Sequence, residues 1–177
     1  MRVIAGTHGG RTLHAPRGRA TRPTSDRVRE AVFAILGDVS GARVLDLYAG
    51  SGALAIEALS RGAVAATLVD SARPAVAVIR RNLATLGLTA EVVQGDVLRV
   101  CEHTSRAGHQ YDLVFLDPPY RHDGALGRQL TAALRPLLAA GARVVAESDR
   151  RSPLNLDLRP LDERRYGDTL IQIHGPH

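Results

Sequence analysis

The chain has 177 residues, of which 45% are hydrophobic, and its formal net charge at pH 7 is +5. This size and composition predict one globular domain with a sizeable core. A single cysteine excludes an internal disulfide, the histidines and the cysteine lack metal-site spacing, and no apolar run could span a bilayer or form a signal peptide, so we expect a cytoplasmic protein without a metal.

The positive charge lies near the N-terminus. Residues 1–30 carry seven arginines but only two acids, so the rest of the chain is neutral. A basic arm on a neutral body is typical of proteins that approach phosphates, although an arginine-rich surface exposed to solvent fits the charge alone equally well. Extended segments at 2–5 and 11–14, followed by a loop, predict a hairpin and arm over residues 1–23.

Residues 24–177 are predicted to form the main domain. Ser25 and Asp26 can cap a first helix, whose apolar face leaves Arg27 and Arg29 on the other faces. Strand and helix patterns then alternate, which predicts a parallel sheet. The predicted strands are 43–47, 66–69, 91–93, 113–116 and 143–146, and the predicted helices are 53–60, 74–86 and 125–138. A Gly-Asp turn at 167–168 predicts a final antiparallel hairpin of residues 161–166 and 169–173.

The segment 44–54 runs from a buried strand through a glycine-rich turn into a helix. Ligands of open α/β sheets bind at such strand ends, and Gly50 and Gly52 let a ligand approach the backbone closely. The third glycine of a pyrophosphate-binding turn is absent, because Ala55 stands there. Asp46 would repel a phosphate but could stabilise a cation or an ammonium group. These features favour S-adenosylmethionine, which carries both and lacks phosphate.

Two more acids follow the next two strands. Asp70 ends the second strand, where it could accept hydrogen bonds from ribose hydroxyls. Asp96, with the N–H of Val97, ends the third strand and could read an adenine edge. A lone aspartate after a strand is more often a helix cap than a ligand. Three acids at the ends of three successive strands nevertheless favour a cofactor site.

A second informative stretch, residues 112–120, is an apolar strand stopped by two prolines. It places Asp117 at the strand's carboxyl end beside the cofactor crevice. An exocyclic base amine is a poor nucleophile, and the Asp117 carboxylate and the Pro118 carbonyl could accept its two hydrogens. The Tyr120 ring could stack on an unstacked base. A rigid turn around Pro119 with a buried tyrosine is the alternative.

The two stretches resemble Class I methyltransferases, and residues 117–120 resemble the (Asp/Asn)-Pro-Pro-(Tyr/Phe) motif of the members that methylate amines. Residues 22–33, 45–54, 57–63 and 166–169 further resemble the bacterial RsmD family, which methylates the N2 amine of one guanine in 16S ribosomal RNA. The resemblance covers nearly the whole chain. It implies a Rossmann-like α/β sheet of seven strands, order 3-2-1-4-5-7-6 with strand seven antiparallel, an N-terminal β-hairpin extension, S-adenosylmethionine as cofactor, and small-subunit ribosomal RNA or a partly assembled subunit as partner.

The resemblance also implies a role for each site residue. It assigns the methionine part of the cofactor to Asp46, Gly50 and Gly52, with Tyr48 and Ser51 in the same turn, the ribose to Asp70, the adenine to Asp96 and Val97, the guanine to Asp117, Pro118, Pro119 and Tyr120, and RNA contact to Arg11, Arg22, Arg27 and Arg29. The family more often has glutamate at the position of Asp70, so its shorter side chain should alter the ribose geometry slightly. Arg27 and Arg29 could instead pair with nearby acids.

Alternatives from other classes make different demands on the sequence. A DNA amino-methyltransferase would use the same tetrapeptide but usually needs a target-recognition region, and cytosine-C5 chemistry would need a cysteine in a Pro-Cys pattern, which Cys101 lacks. A small-molecule methyltransferase has no use for an arginine arm. A non-catalytic RNA-binding assembly factor on a methyltransferase fold predicts damaged cofactor residues, and the sequence shows no such damage.

Overall fold

The computed structural model describes residues 1–16, 25–119 and 124–177. Within this part of the chain one sheet of seven strands is covered by five α-helices. The strands are β1 Arg43–Leu47, β2 Ala65–Asp70, β3 Glu91–Gln94, β4 Tyr111–Leu116, β5 Leu138–Asp149, β6 Arg159–Tyr166 and β7 Thr169–Gly175. The helices are α1 Asp26–Leu36, α2 Ala53–Ser60, α3 Arg73–Leu86, α4 Val97–Arg106 and α5 Leu126–Leu134.

The strand order is 3-2-1-4-5-7-6, which confirms the order that the resemblance implies. Strands β1 to β5 pair in parallel, whereas β7 pairs antiparallel with both β5 and β6. Because β2 and β3 extend from one side of β1 and β4 lies on its other side, the order reverses between β1 and β4. The carboxyl ends of these two strands therefore flank the crevice where ligands of open α/β sheets bind.

The core has two layers, one on each face of the sheet. One face is covered by α1, α2 and α3 together with the N-terminal hairpin, and the other by α4 and α5. Phe33 of α1 packs on Phe115 of β4 with ring centroids 5.8 Å apart, and Arg143, which pairs with Leu113 nearer the start of β4, donates to the carbonyl of Leu36. Since Leu36 ends α1, the first turn of α1 points toward the carboxyl edge of the sheet.

The N-terminal hairpin is integrated into the body. Arg2 and Thr12 form an antiparallel bridge, as the sequence predicts, and Val3 and Leu13 are buried in the first core layer. The backbone N–H groups of Ile4 and Ala5 donate to the buried Glu57 carboxylate of α2 at 2.6 and 3.0 Å. Residues 1–16 therefore share the core of the sheet domain; residues 17–24 lie outside the described residues.

Two elements differ from the sequence prediction. Helix α4 is not predicted, although Asp96 caps it through a hydrogen bond from the Arg99 N–H at 3.1 Å. The predicted helix 125–138 is too long, because Pro136 has no N–H and the chain turns through the 3-10 segment Arg135–Leu137 into β5. Gly141 consequently lies inside β5, where the pairing with β4 shifts register, as glycines at strand irregularities often do.

Among the described helices none is long and apolar enough to cross a membrane.

Candidate active site

A tight glycine turn joins β1 to α2. Tyr48, Gly50 and Gly52 all have left-handed backbone angles, with φ of 62°, 59° and 76°. This conformation is ordinary for glycine and uncommon for tyrosine. A Cβ on Gly52 would lie 2.9 Å from Cδ2 of Leu68, so the turn packs its backbone directly on β2. Left-handed residues therefore occur at every second position of the turn that follows β1.

Asp46 is buried beneath this turn. Its Oδ2 accepts a hydrogen bond from the N–H of Ala55 at 3.2 Å. Burial raises the pKa of the Asp46 carboxyl to about 8; the Ala55 hydrogen bond opposes that shift, and the charge of Asp70 adds to it. Two buried acids side by side are an unfavourable arrangement, which a positively charged ligand at this edge would relieve.

Asp70 connects the end of β2 to the glycine turn. Its Oδ2 accepts from the N–H of Gly50 at 2.9 Å and its Oδ1 accepts from the N–H of Ala72 at 2.8 Å. Like Asp46, it is buried. Each carboxylate oxygen can accept a second hydrogen bond, so this bracing role leaves acceptor capacity for hydroxyl donors.

Tyr48 and Asp96 lie near each other at the same edge. Burial, together with smaller contributions from the charges of Asp96 and Cys101, raises the pKa of Tyr48 to about 12, so the tyrosine hydroxyl stays protonated at neutral pH. Asp96 is exposed and Val97 is buried. The helix-cap role that the sequence left open for Asp96 is present, and it keeps this carboxylate at the carboxyl edge beside Tyr48.

Asp117 follows β4 directly and meets the end of β1. Its N–H donates to the carbonyl of Leu47 at 3.4 Å, as an extension of the pairing between Leu47 and Leu116. Asp117 is half-buried, Pro118 is buried and Pro119 is exposed. The structure thus brings the first three residues of the Asp-Pro-Pro-Tyr motif to the crevice between the carboxyl ends of β1 and β4, next to the glycine turn. Tyr120 lies outside the described residues.

Of the four arginines expected to contact RNA, the structure describes three. Arg11 on the hairpin and Arg27 on α1 are exposed, whereas Arg22 lies outside the described residues. The predicted placement of Arg29 on an outer face of its helix is wrong, since Arg29 is 0% exposed. Its guanidinium donates to the carbonyl of Arg2 and to Oδ1 of Asp26. The hairpin covers this turn of α1, so Arg29 links the two elements and is not on the surface.

Two buried polar residues near the site are not singled out by the sequence. Asn82 interrupts the apolar face of α3, and its side chain contacts both the hairpin and the glycine turn. Glu147 of β5 is 4% exposed and follows Ala146, the partner of Leu116, so it lies beside Asp117. A polar residue within an apolar pattern is the signal that could have identified each of them.

Comparisons with known proteins identify the family. The family model described as Conserved hypothetical protein 95 matches residues 1–175. The chain belongs to this family, the RsmD family. The family's YlbH protein of Bacillus subtilis (strain 168) is 38% identical over 180 residues, which cover 98% of each protein.

Two comparisons with Escherichia coli extend this similarity, one with a sequence and one with a solved structure. Ribosomal RNA small subunit methyltransferase D of strain K12 is 42% identical over 123 residues, which cover 68% of this chain and 61% of that protein. The solved structure of yhhF has a TM-score of 0.84 at 33% identity and covers 100% of this chain and 99% of its own. The fold of this RsmD-family chain is the Class I methyltransferase fold.

Proposed function

We propose that the protein transfers a methyl group from S-adenosylmethionine to the exocyclic N2 amine of a guanine in small-subunit ribosomal RNA. The observation that carries the proposal is the contact of Asp117 with Leu47, which places the Asp-Pro-Pro segment beside the glycine turn. Membership of the RsmD family supports the choice of RNA, since its Escherichia coli relative is named for the small ribosomal subunit.

The described residues fit S-adenosylmethionine. The buried Asp46 carboxyl, whose pKa is raised to about 8, favours a ligand with positive charge, which this cofactor carries, and disfavours the phosphates of a dinucleotide. Asp70 retains acceptor capacity for ribose hydroxyls, and Asp96 with Val97 offers a carboxylate and an N–H for the adenine. When bound, the cofactor supplies an electrophilic methyl group on a positively charged sulfonium.

Asp117 and Pro118 act on the amine that receives the methyl group. The lone pair of a guanine N2 amine is delocalised into the ring, so the amine needs orientation and electrostatic support. The Asp117 carboxylate and the Pro118 carbonyl accept hydrogen bonds from its two hydrogens and hold the nitrogen toward the glycine turn. Positive charge develops on the nitrogen during transfer, so the hydrogen bond to Asp117 strengthens toward the transition state. The amine would then release one of its protons, which leaves neutral N2-methylguanine and S-adenosylhomocysteine as products.

The RNA approaches across the hairpin and α1. Arg11 and Arg27 are exposed on these two elements, and the first turn of α1 points toward the carboxyl edge of the sheet, where Asp117 lies. Arginine contacts to phosphates would position the RNA, while the pocket at Asp117 would select the base. Tyr120 completes the proposal as the ring on which the extruded guanine stacks.

Methyl transfer to isolated ribosomal subunits tests the proposal. Small subunits from a bacterial strain without its RsmD-family gene are incubated with the protein and radiolabelled S-adenosylmethionine, with free ribosomal RNA and duplex DNA alongside. Label in N2-methylguanosine of the subunit RNA is the expected result. Label in DNA or in another nucleoside would contradict the proposed substrate. Absence of label with intact cofactor binding would contradict the proposed activity.

A further inference from the structure

Asn82 connects the N-terminal hairpin to the glycine turn. Its Oδ1 accepts a hydrogen bond from the N–H of His14 at 2.9 Å, and its Nδ2 donates to the carbonyl of His14 at 3.0 Å. The same Nδ2 donates to the carbonyl of Ser51 at 3.0 Å. Asn82 is 1% exposed, so water cannot replace these partners. One buried amide therefore joins both elements.

The contact to Ser51 distinguishes Asn82 from the other residues that hold the hairpin. Ser60 accepts from the N–H of His8 at 2.9 Å and donates to the carbonyl of Ala5 at 2.6 Å. Ser60 is the last residue of α2, at the end of the helix away from the glycine turn. Losing either side chain removes buried hydrogen bonds and leaves their partners unsatisfied. Only the loss at Asn82 also frees the Ser51 carbonyl, and the contact between the hairpin and Ser51 that then remains is a weak one, from the Ser51 hydroxyl to the Met1 sulfur at 3.8 Å.

We infer that Asn82 is a positioning residue that couples RNA binding on the hairpin to cofactor binding at the glycine turn. The inference rests on the proposed function. RNA held by the exposed Arg11 restrains the hairpin, His14 lies on the same hairpin, and Asn82 passes this restraint to Ser51. Coupling between two ligands is reciprocal, so the cofactor strengthens RNA binding by the same factor.

The affinity for S-adenosylhomocysteine, measured by calorimetry with and without an unmodified small-subunit RNA transcript, tests the coupling. For the unsubstituted protein we expect RNA to tighten S-adenosylhomocysteine binding by about fivefold or more. In Asn82→Ala this factor should fall to near one. Ser60→Ala is the matched control, because it removes a buried anchor of the same hairpin without touching the turn, and it should keep the coupling.

A second variant covers the case in which Asn82→Ala does not fold. Asn82→Ser keeps a hydroxyl that is too short to bridge His14 and Ser51, so it should lose the coupling as well. Coupling that persists in either variant, equal loss in Ser60→Ala, or no coupling in the unsubstituted protein would overturn the inference. The coupling is measured by binding constants and the proposed function by formation of N2-methylguanosine on subunits. The coupling can therefore be absent while N2-methylguanosine forms, or present while it does not.

Discussion

A buried carboxyl group at the end of β1 makes stability depend on pH. The pKa of Asp46 is about 8 in the folded protein against 3.8 for an ordinary aspartate. Between these values the unfolded chain has released the proton and the folded chain still holds it, so folding becomes less favourable as pH rises. The full penalty is present above pH 8 and absent below pH 4.

Replacing this carboxyl with an amide should remove the penalty. We expect Asp46→Asn to gain stability relative to the unsubstituted protein by roughly 1 kcal/mol per pH unit between pH 4 and 8, measured by urea unfolding at pH 5 and pH 7. Asp38→Asn is the control, because hydrogen bonds from Ser40 hold the pKa of the exposed Asp38 below its ordinary value of 3.8, outside this window. A stability difference for Asp46→Asn that does not change with pH would contradict the prediction.

Asp117 is expected to act in turnover and not in cofactor binding. Asp117→Ala removes the acceptor that stabilises the charge developing on the amine, so we expect kcat to fall by about 100-fold or more. Its affinity for S-adenosylhomocysteine should be unchanged in calorimetry, because the glycine turn is intact. Asp112→Ala is the control, because it removes an acid at the other end of β4. The Asp112 carboxylate accepts from the N–H of Arg43 at 2.8 Å, and its loss should leave kcat unchanged. Equal losses of turnover and cofactor affinity in Asp117→Ala would refute the assigned role.

At the scale of elements, the glycine turn depends on close packing of β1, α2 and β2. Gly52 and Gly41 share a φ of 76°, but a Cβ on Gly52 would meet Leu68 whereas a Cβ on Gly41 would meet nothing within 4 Å. Alanine at either position adds left-handed strain of about 1 kcal/mol. Gly52→Ala should lose a further ~1–3 kcal/mol through overpacking and weaken S-adenosylhomocysteine binding. Equal stability losses in urea unfolding of the two variants would show that packing on β2 is unimportant.

The elements with strong local signals could be predicted from the sequence. The bounds of β1 and α2 agree with the prediction, because a buried apolar run, a glycine turn and a closing glycine mark them. Helix α4 lacked such a signal, since its ten residues are mostly polar and only Val97 and Cys101 are buried. The start of β5 was missed because its register shift depends on pairing with β4.

In the candidate site too, some features follow from local sequence signals and others depend on tertiary contacts. Asp46, Asp70 and Asp117 could be placed together from the sequence because parallel strands end at one edge. The burial of Arg29 could not, since it depends on the hairpin packing over α1. The contact of Asn82 with Ser51 likewise requires tertiary structure, because 31 residues separate the partners.

At the scale of the whole molecule, the position of the positive charge matters more than its amount. Arg11 and Arg27 are exposed on the hairpin and on α1, on the sheet face that carries the first core layer. Arg106 and Arg135 are exposed on the opposite face, beyond α4 and α5, where they pair with Glu102 and Asp157. Arg106 is the last residue of α4, at the end away from Asp96 and Val97, and Arg135 follows the last residue of α5, so these two arginines lie away from the candidate active site.

Two double variants separate contact from overall charge. Each arginine that contacts a phosphate releases counterions, so Arg11→Ala/Arg27→Ala should lower the slope of log affinity for RNA against log salt by about 0.7 to 0.9 per arginine. Arg106→Ala/Arg135→Ala removes the same two charges and should leave the slope unchanged. The slopes are obtained from RNA binding titrations at several salt concentrations. An equal reduction in both variants would mean that RNA responds to the net charge of +5 and not to the hairpin surface, because only a local contact can distinguish two proteins of identical charge.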